Sequence, residues 1–160
     1  MTWKHRDNKG DFVLDNNNKT FERVSKGEIH KEVYFSQMLP MSGVFVINLK
    51  FDLVEKGLWI GVISEQDFTK ENWHKYDVYY SSYKGDFFEA SNKITNQKKT
   101  QKVNTGKTGD VVSVKFDIDR GFICVQVNGT EVNSILKNLK DKVYIPYVGT
   151  YYGGEKVTIL

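Results

Sequence analysis

The chain has little of what disulfide-stapled miniproteins, membrane spans or nucleic-acid binders depend on. Cys124 is the single cysteine, so no internal disulfide can form. Two prolines leave the turns to glycine, asparagine and aspartate. Arginine stands only at Arg6, Arg23 and Arg120, and the formal charge is +3 with both signs interspersed. That balance argues against a nucleic-acid footprint. The densest basic run, Lys98-Lys99-Thr100-Gln101-Lys102, has no neighbouring rings for base stacking and reads as a solvated loop. No apolar run approaches membrane-spanning length, and Met1-Thr2-Trp3-Lys4-His5-Arg6-Asp7 holds no apolar signal core. A reduced, intracellular (cytoplasmic) location without membrane insertion is the expectation.

What is present is alternation. Apolar residues recur at Val112, Val114, Phe116 and Ile118, and again at Ile123, Val125 and Val127. This period of two marks half-buried strands. Asp119-Arg120-Gly121 between them supplies a turn, and Asn128-Gly129 signals a second tight reversal. Further strands are expected at 11–14, 19–24, from 33, 43–51, 58–63, 77–83, 86–90, 143–149 and 156–160. Segment 91–106 is polar. Segments 65–72 and 131–138 are the two places where a turn or two of helix is expected. Short strands divided by turn signals argue for an all-β sandwich or barrel. The 160 residues suit one domain over 1–160, large enough to bury a core without disulfides or a structural metal.

Candidate chemistry is sparse. Gly106-Lys107-Thr108 looks like the end of a phosphate loop, but Gln101 stands where the first glycine belongs and a strand follows. Asp15-Asn16-Asn17-Asn18 starts like a calcium loop, but Thr20 and Lys26 occupy its glycine and glutamate positions. It is a turn. Asp117 and Asp119 share one side of a strand end, and with Arg120 alongside they read as turn and ion-pair residues rather than as a catalytic pair. His5, His30 and His74 have no zinc spacing. Cys124 reads as an inert, partly buried thiol. No catalytic residue, metal or cofactor is expected. Tyr79 reads as a packing residue, whereas Tyr151-Tyr152-Gly153-Gly154 places rings beside glycines in a last turn. Loop rings of that kind suit binding, because they expose rigid area at low entropic cost.

Gly109-Asp110-Val111-Val112, Asp117-Ile118-Asp119-Arg120-Gly121, Val127-Asn128-Gly129 and Val143-Tyr144-Ile145-Pro146-Tyr147-Val148 resemble, in order, the C-terminal half of a SPRY (B30.2-like) domain. Leu58-Trp59-Ile60-Gly61-Val62 looks like that family's central strand, and Trp3 with residues 15–21 like its N-terminal strands. Ser113 departs from a frequent glycine, and Gln126 and Val127 from the usual residues before Asn-Gly. The resemblance implies a bent two-sheet antiparallel sandwich of the concanavalin-like jelly-roll type with little helix. It also implies a non-catalytic adaptor that binds a peptide or protein surface through loops at one end, as one part of a larger protein or complex. By position, Arg23, Ser25, Tyr76, Tyr151, Tyr152 and Gly153 resemble the peptide-contacting loop residues, with Arg23 donating to a partner's carboxylate or carbonyl. A rival reading is a carbohydrate-binding lectin of the same architecture, with Trp73, Asn72 and Asp77 as the nearest approach to a sugar platform.

Overall fold

The computed structural model describes residues 1–5, 10–69, 78–100 and 105–160. The first strands are β1 (Trp3–Lys4), β2 (Phe12–Asp15), β3 (Thr20–Arg23), β4 (Lys31–Phe35), β5 (Val44–Leu53) and β6 (Trp59–Ser64). One helical turn, α1 (Glu65–Phe68), follows, and then β7 (Val78–Ser81), β8 (Asp86–Glu89) and β9 (Asn92–Lys93). The chain closes with β10 (Val111–Asp117), β11 (Phe122–Val127), β12 (Thr130–Leu136), β13 (Tyr144–Thr150) and β14 (Lys156–Ile159). They form two antiparallel sheets. The first has the order β1-β4-β13-β6-β7-β8-β9, and the second β12-β11-β10-β5-β14-β3-β2.

The alternation at Val112, Val114 and Phe116 sets the register. These residues pair with Val127, Val125 and Ile123 on one side and with Leu49, Ile47 and Phe45 on the other. Their side chains meet Val33, Phe35, Ile60, Val62, Tyr80, Phe87 and Val148 from the first sheet in one continuous core. Each such buried side chain contributes roughly 1.5–3 kcal/mol. Trp3 ties the sheets at one edge: it lies 4.4 Å from Phe35 of the first sheet and 4.9 Å from Phe21 of the second. Its indole N–H donates to the Lys19 carbonyl at 2.8 Å.

Asn128 (φ 51°) and Gly129 (φ 82°) are both left-handed, the geometry of a two-residue hairpin. That turn overturns the helical expectation for 131–138, because the chain must return along β11 as strand β12. The spacing of Val132, Ile135 and Leu139 imitates a helix face. An irregularity in the pairing between Val125 and Gln126 leaves Val132 as an extra residue beside Asn133, and Val132 to Ile135 are all buried within the strand. The expected helix at 65–72 is a single turn, with Ser64 Oγ accepting from the Asp67 amide at 3.2 Å, and residues 70–72 lie outside the described residues. Lys98, Lys99 and Thr100 of the basic run are exposed and the rest of it lies outside the described residues, yet the amides of Lys98 and Thr100 donate to the Ser134 and Val132 carbonyls and cover the edge of β12.

Strands β6 and β7 approach closely at Gly61. A side chain there would begin 2.6 Å from Tyr79 Cβ and closer still to the Val78 carbonyl. Gly61→Ala is expected to lower unfolding stability by about 1–3 kcal/mol, the usual range for overpacking. Chemical denaturation reads this directly, and an unshifted midpoint contradicts the close approach.

Candidate functional site

Alternation also decides what the first sheet shows on its outer face. Ile60, Val62, Tyr80, Phe87 and Val148 point into the core, so Trp59, Gly61, Tyr79, Phe88, Tyr147 and Gly149 point away from it. Cross-strand register aligns Tyr147, Gly61, Tyr79 and Phe88 in one row and Gly149, Trp59 and Ser81 in the next. Tyr79 stacks on Phe88 with ring centroids 5.3 Å apart and planes 13° from parallel. Trp59 lies between His30 at 4.7 Å and Tyr151 at 6.0 Å, and Tyr152 meets Tyr151 edge-on at 5.0 Å. The rings enclose a cleft of about 370 Å³, which Tyr83, Ser81, Ser91, Gly57, Lys56 and Lys84 complete. A recess of about 150 Å³ between His30, Tyr147 and Trp59 adjoins it.

Two lysines border the cleft. Lys56 Nζ stands 5.0 Å from the Tyr152 ring centroid and Lys84 Nζ 5.2 Å from that of Phe88. The Tyr152 side chain beside it raises the Lys56 pKa above its ordinary value.

The last turn is fixed from behind. Arg23 is 0% exposed. Its Nε donates to Ser25 Oγ at 3.2 Å, one terminal nitrogen to the Thr150 carbonyl at 3.1 Å and hydroxyl at 3.3 Å, and the other to the Gly27 carbonyl at 3.3 Å. Arg23, expected to donate to a partner, instead directs four hydrogen bonds at acceptors inside the protein and positions the turn. Burial lowers its pKa while Glu155, Asp11 and Glu32 oppose the shift. Ser25 is half-buried, and its carbonyl lies 2.7 Å from where a side chain at 153 would begin, so the contact requires Gly153. The structure thus brings Arg23, Ser25, Gly153, Tyr152 and Tyr151 together. The two tyrosines face the cleft, while Arg23, Gly153 and Tyr152 border a second recess of about 560 Å³. Tyr76 lies outside the described residues, as do Asn72, Trp73 and Asp77 of the sugar-platform reading.

The other chemical candidates are structural where described. Asp117 accepts from the Arg120 amide at 3.1 Å, and Asp119 from the Gly43 amide at 3.0 Å. Cys124 is buried, donates to Glu131 at 3.0 Å, and burial pushes its thiol up to about 12. Thr108 bonds both backbone groups of Val54, and Asp110 accepts from the Lys107 amide, which makes 106–110 a turn into β10. Asn16, Asn17 and Asn18 are all left-handed, and Asn16 donates to Asp15, forming the β2–β3 turn. Among the described residues no cluster of metal-ligating side chains occurs.

Solved structures share this fold. The SPRY domain of human HERC1 matches with a TM-score of 0.71 at 17% identity, over 92% of this chain and 91% of that one. A human SPRY domain matches with 0.63 at 16% identity, over 99% and 96%. The fold is that of a SPRY domain. The TRIM65 PSpry domain also matches, with 0.65 at 11% identity over 94% and 84%. No protein-family model matches the sequence, and no curated protein does. On this SPRY scaffold, Tyr151 and Tyr152 of the expected residues line the cleft, together with Trp59, Tyr79, Phe88, Lys56 and Lys84, which the sequence reading did not single out for binding. The available signal was aromatic residues at both parities, Tyr79-Tyr80 and Phe87-Phe88, in strands that have only one core face.

Glu155, 0% exposed beneath the same turn, has its carboxyl pushed up from 4.5 to about 7. Burial is the main cause, partly offset by the Tyr152 amide, the Arg23 charge and the Tyr151 amide. Between those two values the folded protein keeps a proton that the unfolded chain releases, so stability falls as pH rises through the window. Thermal midpoints recorded from pH 5 to pH 8 should fall in the native chain. Glu155→Gln should flatten that fall, and identical slopes contradict the burial assignment.

Proposed function

We propose that this chain is a non-catalytic interaction module that takes a short peptide, or a protruding segment of a protein, into the cleft between β6–β8 and the turn at 151–154. The observation that carries the reading is the aromatic wall of Trp59, Tyr79, Phe88, Tyr151 and Tyr152, joined by the Tyr79–Phe88 stack and by edge-on contacts of Tyr151 with Trp59 and Tyr152. Rings already locked in place lose little freedom when a ligand arrives. The SPRY fold of the neighbouring structures supports an interaction role. Arg23 acts behind the wall by holding the turn, and Ser25 and Gly153 close the turn against it. A sugar platform is the weaker reading, because among the described residues the cleft lining holds no carboxylate to grip hydroxyl pairs.

Peptides selected on the native chain from a displayed library supply the test. Tyr151→Ala with Tyr152→Ala should weaken them by about 2 kcal/mol, roughly thirty-fold. The thermal midpoint should barely move, since both rings are only half-buried. Unaltered affinity in that double variant removes the cleft from the reading.

A further inference from the structure

We propose that the segment this cleft accepts is acidic, an extended peptide with Asp or Glu flanking an aromatic, proline or aliphatic residue. This rests on the cleft being the binding site. Among the described residues that line it, the charged groups are Lys56 and Lys84, each held over a ring of the wall, Tyr152 and Phe88. Among the described residues neither ammonium is in an ion pair. Of the acids nearby, Asp86 is engaged by Lys93 at 3.6 Å and Lys99 at 3.2 Å and Glu89 by Lys137, while Glu28, outside the cleft lining, acts on Lys56 through space. The cleft therefore presents positive charge around an apolar floor.

A ring occupies one side of each ammonium and leaves other N–H donors for an incoming carboxylate. Ser81 and Ser91 add hydroxyl groups within the same lining. An apolar residue of the peptide would rest on Trp59 and Tyr79, and a basic peptide would meet like charge. A nucleic acid fits less well. Two cations do not make the continuous track that a phosphate backbone needs.

The test uses fluorescein-labelled degenerate peptide pools with a fixed central Phe and flanks of Glu, Gln or Lys, alongside an oligothymidylate, all read by fluorescence anisotropy. The Glu pool should bind the native chain about ten-fold tighter than the Gln pool, a ratio on the scale of two rim ion pairs. That ratio should shrink with added salt. Lys56→Gln with Lys84→Gln should bring it close to one, whereas Lys115→Gln, on the other sheet, should leave it intact. Equal affinity of the Glu and Gln pools, with Tyr151→Ala/Tyr152→Ala weakening both, overturns the acidic partner and leaves the site standing. Binding that ignores the tyrosine variant, or silence from every pool, overturns the site as well. Tighter binding of the oligothymidylate than of the Glu pool overturns the peptide assignment.

Discussion

Two pleated sheets packed face to face can bury only one parity of each strand, and that steric constraint places every other feature of the molecule. In the second sheet the outward parity is largely polar, with Asn48, Ser113, Lys115 and Gln126 in adjoining registers and Ser113 bonded to Asn48 at 2.7 Å. In the first sheet it is aromatic. Part of that aromatic face is closed: Tyr34, Ile63 and Tyr147 form a second buried cluster against Phe68 of α1. The remainder, from Trp59 to Phe88, forms the wall of a cleft. The two outer faces thus differ in kind although the inner faces share one core.

A buried arginine fixes the other wall. Taking a guanidinium out of water is costly unless its donors are satisfied. Arg23 meets that condition with the Thr150 carbonyl and hydroxyl, the Gly27 carbonyl and the Ser25 hydroxyl, while its own backbone pairs with Glu155 and Gly154. These bonds join β3, the 25–27 loop and the end of β13 around the turn that presents Tyr151 and Tyr152. The charge holds the turn from inside the protein.

The sequence made some of this legible and hid the rest for identifiable reasons. The β10–β11 hairpin and the Asn128-Gly129 turn could be read because alternation and left-handed turn residues are local signals. Strand β12 could not, because the spacing of Val132, Ile135 and Leu139, three residues and then four, suits a helix and only the pairing with β11 decides otherwise. Tyr151 and Tyr152 stood out beside glycines. Trp59, Tyr79 and Phe88 did not, since which ring of Tyr79-Tyr80 or Phe87-Phe88 faces outward depends on the register of the whole sheet. Arg23 looked like a surface donor because its partners at Thr150 and Glu155 lie far along the chain.

Backbone and indole NMR shifts recorded while a selected peptide is titrated in test the central claim most directly, because they report both outer faces at once. The account predicts movement at the Trp59 indole and at the amides of Tyr79, Phe88, Tyr151 and Tyr152, with Ser113, Lys115 and Gln126 still. Shifts confined to the second sheet, with Trp59 unmoved, would contradict it.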